Sequence, residues 1–156
     1  MAKSKVTLTK EERQAVKELE RNRAARKELL EGLPVVNLGA LFMPPIWGAA
    51  NGILLSILFY PLWLFADNLF YSAFSEPNAL NVALSVVVFV MLAAATILFA
   101  YHGQWYGLVR ALDRGMTKEQ YAKRQRTWAI AMAAVAILFI VLATWYNLDV
   151  RPGLDL

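Results

Sequence analysis

The chain has 156 residues, of which 58% are hydrophobic, with a formal net charge of +4 and a mean hydropathy of +0.42. This apolar content exceeds that of ordinary soluble domains and predicts an all-α membrane protein, each of whose spanning helices needs about 20 apolar residues. The absence of cysteine excludes a disulfide framework, a thiolate metal site and a thiol nucleophile.

A charged helix is predicted over residues 1–33, which lack the apolar stretch of roughly 7 to 15 residues that a cleavable signal peptide needs. Thr9 and Glu12 have the spacing of a capping box, and Gly32 followed by Pro34 is typical of a helix end. Two arginines interrupt the apolar stripe of this segment. The pattern therefore favours a solvated or interfacial cytoplasmic helix over a coiled coil.

The longest uncharged run of the chain, residues 33–66, contains Pro44 and Pro45 in its first half. A residue before proline is disfavoured in the α-helical region, so a continuous helix across the pair is not expected. The prolines predict a short apolar arm over residues 35–43 and a first membrane span over residues 46–66. Whether the arm is re-entrant, interfacial or part of an extra span stays open.

The same stretch contains small and amide side chains suited to close helix packing. Gly48 and Gly52 have GxxxG spacing, which allows another helix to approach. An amide buried in lipid must find hydrogen-bond partners, so Asn37 and Asn51 are expected to hold elements together rather than bind a ligand. The predicted helix-packing or partner-binding site comprises Asn37, Pro44, Pro45, Trp47, Gly48, Asn51 and Gly52.

Two further spans are predicted over residues 82–101 and 128–145, joined by a helical hairpin over residues 102–127. Gly115 ends the first helix of this hairpin, and Thr117 with Gln120 begins the second with capping-box spacing. Basic side chains before the third span are expected to face anionic lipid headgroups, a nucleic-acid or calmodulin-like target being the weaker alternative; they are Lys118, Lys123, Arg124 and Arg126. The expected interface anchors are Trp105, Trp128 and Trp145.

The distribution of basic residues predicts the topology. Nine precede the first span, none lies in the loop 67–81, six lie between residues 102 and 127, and one follows the third span. By the positive-inside rule, the N-terminus and the hairpin are cytoplasmic, and the loop and the tail 148–156 lie outside.

Two stretches, NLGALFMPPIWG and GQWYGLVRALDRGMTKEQYAKRQRTWAI, resemble the paired signature of a family of small bacterial inner-membrane proteins of unknown function. The first motif is matched by Asn37, Gly39, Ala40, Ile46, Trp47 and Gly48, and the second by Gly103, Trp105, Tyr121, Gln125 and Trp128. Leu38 stands where the family usually has an aromatic residue. The resemblance covers residues 36–140 and implies three spans in a bacterial inner membrane, but no activity.

Direct signs of chemistry are few, because the three predicted spans contain no aspartate, glutamate, lysine, arginine or histidine. His102 has no second histidine or cysteine to complete a metal site, and neither Asp67 nor Asp113 has a catalytic partner in sequence. We therefore expect no catalytic residue, metal, cofactor or nucleic-acid partner.

Two functions remain open at this point. The first is a non-catalytic membrane subunit or adaptor that packs with a partner membrane protein or with itself as a homo-oligomer. The second is a lipid-binding or small-solute carrier with a cavity at the Pro44/Pro45 break. The uncharged spans favour the first.

Overall fold

The computed structural model describes residues 10–154, which form helices and turns with no strand among them. The all-α prediction is therefore confirmed. The chain divides into two compact units, Met1–Pro34 and Val35–Leu156.

The first unit contains helix α1, Lys10–Leu30. Beyond it, Gly32 has a φ of 75°, a left-handed conformation that glycine adopts without steric cost and that commonly ends helices. The predicted helix end at this glycine is thus confirmed. The capping box predicted at Thr9 lies outside the described residues.

The second unit begins with two short helices, α2 (Leu38–Phe42) and α3 (Pro44–Ala50). Met43 separates them with φ −140° and ψ 72°, outside the α-helical region, as expected for a residue before proline. Pro44 then occupies the first position of α3, where its missing N–H leaves no bond unmade. Neither helix is long enough to cross a bilayer. Together with their caps Asn37 and Asn51 they form what we call the arm, which extends the predicted arm of residues 35–43 through α3.

Helix α3 ends in a Schellman motif, with Gly52 at φ 78°. The N–H of Ile53 donates to Gly48 O at 2.8 Å, and that of Gly52 donates to Ala49 O at 2.9 Å. A 3-10 turn (Leu54–Leu58) and helix α4 (Phe59–Ser75) follow. The first candidate span is therefore Leu54–Ser75 and not residues 46–66, because Gly52 ends the helix that the prolines begin.

The predicted outer loop, residues 67–81, is also corrected, because α4 continues to Ser75 and α5 (Ala79–Asp113) follows after three residues. The polar side chains of this stretch do not break the helix. Those of Asn68, Ser72 and Ser75 donate to the carbonyl oxygens four residues earlier at 2.9 to 3.0 Å.

The hairpin between the second and third spans has the predicted signals. Helix α5 ends at Asp113, Gly115 has φ 78°, and α6 spans Lys118–Trp145. Thr117 and Gln120 form the predicted capping box at the start of α6. The predicted tail, residues 148–156, is helical as far as Leu154, in a π-helical turn and then a 3-10 turn.

Three helical segments are long and apolar enough to span a membrane, namely Leu54–Ser75, Ala79–Asp113 and Lys118–Leu154. Helix α4 packs along α5, while α2 packs against both α5 and α6. The hydrophobic core lies where the arm meets α5, around the fully buried Ala40, Trp47 and Ala100.

Candidate functional site

The most polar part of the interior is a set of five side chains that we call the arm cluster: Asn37, Trp47, Gln104, Tyr121 and Gln125. Asn37, Trp47, Gln104 and Tyr121 are each at most 2% exposed. They come from the arm, from α5 and from α6, so their contacts determine how the arm is held.

Asn37 connects three helices. Its side-chain Oδ1 accepts from Ala40 N at 3.0 Å and caps α2, while its backbone N–H donates to Ala100 O on α5 at 3.0 Å. Its Nδ2 lies 3.0 Å from Gln104 Oε1 and 2.9 Å from Gln125 Oε1. The Tyr121 hydroxyl oxygen lies 3.3 Å from the same Nδ2 atom, so both amide hydrogens of Asn37 have acceptors.

The remaining members join the arm cluster to α3. Gln125 Oε1 also accepts from Trp47 Nε1 at 3.1 Å, and the Tyr121 hydroxyl donates to Gln104 O at 3.2 Å. Among the described residues, no buried side-chain nitrogen or oxygen lacks a hydrogen-bond partner. Since an unpaired polar group in an apolar region is costly, each partner in this cluster constrains the others.

The indole of Trp47 lies in a slot that glycines make possible. A Cβ at Gly39 would lie 2.7 Å from Trp47 Cδ1, and one at Gly103 would lie 3.1 Å from Cζ3. At Gly107 a Cβ would lie 3.1 Å from Trp47 Cζ2 and 2.8 Å from the Tyr121 hydroxyl. Gly103 and Gly107 therefore form the close-packing face of α5.

Gly48 and Gly52, the GxxxG pair predicted from the sequence to form a packing face, do not form one. Gly48 lies in α3, where a Cβ would overlap the side chain of Ser56 and lie 2.8 Å from Phe99 Cζ. Gly52 lies outside the helix, is exposed, and faces the guanidinium group of Arg110. The two glycines contact different elements and do not form one helix face. Gly103 and Gly107 have the same spacing and do form one helix face, but they were not predicted from the sequence as a packing pair.

The other predicted packing residues are buried in the arm. Pro44 and Pro45 are buried, and the Pro45 carbonyl accepts from the Ser56 hydroxyl at 3.4 Å. Asn51 donates to Trp47 O at 2.8 Å, within the arm, and so does not bridge to another helix. Ser56 and Gln104 were not identified from sequence, although both are polar residues within or beside apolar segments.

The predicted headgroup residues lie on the first turns of α6. Lys123 and Arg126 are exposed, whereas Lys118 and Arg124 are half-buried. Of the predicted anchors, Trp128 packs against the core around Trp47. Trp105 is half-buried and Trp145 is 56% exposed, so the three tryptophans do not share one environment.

A second polar group, the Arg151 cluster, comprises Asp67, Asn68, Tyr71, Asn147 and Arg151. Asn147 donates to Asp67 Oδ1 at 2.8 Å, and Arg151 donates to Asn147 Oδ1 at 3.3 Å and to Asn68 Oδ1 at 2.9 Å. The Arg151 guanidinium lies 3.8 Å from the centre of the Tyr71 ring. The sequence indicates a role for Arg151 in topology only, because the residues of this cluster lie far apart in the chain.

A groove of about 1180 Å³ runs between α4 and α6 and reaches the Arg151 cluster. Its lining is mostly apolar and includes Tyr60, Trp63, Phe139 and Ala143. Phe42 and Met43 of the arm also line it. Within residues 10–154, no group of three histidine, cysteine or acidic side chains could hold a metal ion.

These features define a class: a helical multi-pass membrane protein with three candidate spans and a non-spanning arm held by buried polar side chains. Comparison with protein-family models, with curated proteins and with solved structures gives no match. The family resemblance of the two motifs therefore stays a prediction.

Proposed function

We propose that this protein is a non-catalytic integral membrane subunit or adaptor that packs with a partner membrane protein or with a second copy of itself. The observation that carries the proposal is the arm cluster. Its polar groups hydrogen-bond to one another across α2, α3, α5 and α6, at the base of the basic hairpin. A cluster of this kind fixes the hairpin relative to the spans, which is what a scaffold requires.

The hairpin projects beyond the spans. Helix α5 has 35 residues, so at 1.5 Å per residue it is about 52 Å long, against a hydrocarbon core of roughly 30 Å. Of the six basic residues of segment 102–127, Arg110 lies near the end of α5, Arg114 caps it, and the other four lie on the first turns of α6. In the proposed orientation this end is cytoplasmic in a bacterial inner membrane, the four cations of α6 contact anionic headgroups, and the C-terminus lies outside.

The proposed contact surface for a partner is the uncovered face of α5. Val90, Met91 and Leu98 on this face are 58%, 65% and 59% exposed. Ala94 lies between them and is also exposed. A small residue in the middle of such a face lets a second helix approach closely, and the resulting van der Waals packing is one of the forces that drive helix association in lipid.

The alternative function predicted from the sequence is a lipid-binding or small-solute carrier with a cavity at the Pro44/Pro45 break. Pro44 and Pro45 are buried in packed structure, and the groove lies beside Met43, between α4 and α6. The groove favours binding of a membrane component from the side over passage of a solute through the break. Lipid binding therefore stands as the second candidate function.

Native mass spectrometry of protein purified in a mild detergent tests the subunit proposal. We expect a species heavier than the 17.5 kDa chain by a second protein chain, either another protein or a second copy. Ala94→Leu should reduce this species, whereas Ala134→Leu, at an exposed position on α6, should not. Recovery of single chains only, from membranes at native expression level, would contradict the proposal.

A further inference from the structure

The groove between α4 and α6 is about as long, measured along the helices, as one leaflet of a bilayer is thick. Its lining runs from Tyr60 to Phe70 on α4, with Asp67 and Asn68 near the end of this wall, and from Ala136 on α6 to Tyr146 in the π-helical turn. At 1.5 Å per residue each wall is about 15 Å long, which is half of a hydrocarbon core of roughly 30 Å. Phe42 and Met43 of the arm line the groove as well.

The other end of the groove carries both signs of charge. Arg151 and Asp67 line it together, and Asn147 bridges them by accepting from Arg151 and donating to Asp67. Two of the hydrogen bonds of Arg151 go to neutral amides, so its cation is not neutralised by those partners. A guanidinium group has five N–H donors and a carboxylate has two acceptor oxygens, which leaves donor and acceptor capacity for a headgroup.

We propose that this groove binds one glycerophospholipid whose headgroup contains a phosphate and a primary ammonium group. An acyl chain lies along the aromatic and aliphatic walls, the phosphate contacts Arg151, and the ammonium contacts Asp67. Arginine is well suited to phosphate because its planar donors match the phosphate oxygens. A primary ammonium can donate hydrogen bonds to Asp67, which a quaternary ammonium cannot do.

The length of the groove favours a lipid over a helix of another protein. A spanning helix needs about 20 apolar residues and crosses both leaflets, whereas the apolar walls of the groove extend through about one leaflet. The charged pair lies at one end of the walls, where a bound lipid places its headgroup. This proposal rests on the second candidate function, lipid binding at this groove, and does not depend on the subunit role.

The test uses the full chain reconstituted in nanodiscs with equal parts of phosphatidylcholine, phosphatidylethanolamine and phosphatidylglycerol, followed by native mass spectrometry after release. We expect one phosphatidylethanolamine to remain bound per chain. Ala143→Phe fills the groove and should abolish this bound lipid, while Ala134→Phe, an exposed position of α6 outside the groove lining, should leave it unchanged.

The headgroup assignment has its own variants. Arg151→Gln should weaken retention of the phospholipid, and Asp67→Asn should reduce the preference for phosphatidylethanolamine over phosphatidylcholine by about five-fold, the effect of one partly exposed charged contact. Retention of no lipid, retention without headgroup preference, preference for phosphatidylglycerol, or equal retention by Ala143→Phe would each overturn the proposal. So would a protein helix that cross-links, in native membranes, to a photoreactive residue introduced at position 143.

Discussion

Asn37 and Gln125, which are 88 positions apart in the chain, are joined by a hydrogen bond of 2.9 Å between Asn37 Nδ2 and Gln125 Oε1. The first residue caps the arm helix α2 and the second lies on α6, so this bond ties the first apolar segment to the last span. The same Gln125 oxygen also accepts from Trp47. One side chain of α6 thus holds both short helices of the arm.

The slot for Trp47 gives the first prediction. Gly103→Leu places a branched side chain where a Cβ alone would lie 3.1 Å from the indole, so the arm cannot keep its position on α5. We expect a loss of about 1 to 3 kcal/mol in the free energy of unfolding in detergent. Ala131→Leu, at an exposed position of α6, is the matched control and should stay within about 0.5 kcal/mol of wild type. Equal stability of the two variants would show that the slot is loose.

Alanine should destabilise the protein at Gly48 and at Gly52 for different reasons. At Gly48 a Cβ meets the buried side chain of Ser56 and the ring of Phe99, so Gly48→Ala should cost about 1 to 3 kcal/mol. At Gly52 a Cβ meets only the mobile end of Arg110, and the cost should be the strain of a left-handed residue, about 1 to 2 kcal/mol.

Two controls separate these causes by thermal unfolding in detergent. Gly115→Ala has the same φ of 78° with nothing within 4 Å of the added Cβ, so it should match Gly52→Ala. Leu58→Ile, at a side chain 54% exposed, should be nearly neutral. If Gly52→Ala is far more destabilising than Gly115→Ala, the Arg110 contact is rigid and the account of Gly52 is wrong.

The topology is a further prediction. The 9, 0, 6 and 1 distribution of basic residues places a reporter fused after Leu156 outside the membrane and one at the N-terminus in the cytoplasm, because three spans separate the two ends. Reporter activity at both ends distinguishes the outcomes. If both ends were cytoplasmic, an even number of crossings would be required, and the arm or one candidate span would have been misassigned.

The sequence predicted those parts of the fold that follow from local chemistry. Long segments without charged residues predicted the three spans. Gly115 and Thr117 predicted the hairpin, and Pro44 predicted the break in the arm. The start of the first span was misplaced because a helix that begins at Pro44 can end at Gly52, and the sequence stays free of charged residues through that turn.

The candidate site was only partly predictable. Asn37 was identified as a buried amide in need of partners, but its partners Gln104 and Gln125 lie 67 and 88 positions away, and sequence spacing does not show which helices meet. The Arg151 cluster was missed for the same reason, since Arg151 and Asn68 are 83 positions apart. Gly103 and Gly107 also have GxxxG spacing. The close-packing face was nevertheless predicted at Gly48 and Gly52, because these two glycines lie in the longest uncharged run.

A double-mutant cycle on Asn37 and Gln125 tests the central claim, that the arm cluster holds the arm to the spans. The free energy of unfolding in mixed detergent is measured for wild type, Asn37→Ala, Gln125→Ala and the double variant. We expect each single change to cost about 1 to 2 kcal/mol, with an interaction energy of about 0.5 kcal/mol or more between them. Asn37 and Asn68, which belong to separate clusters, form the control pair and should be additive. Additive effects of Asn37 and Gln125 would contradict the account.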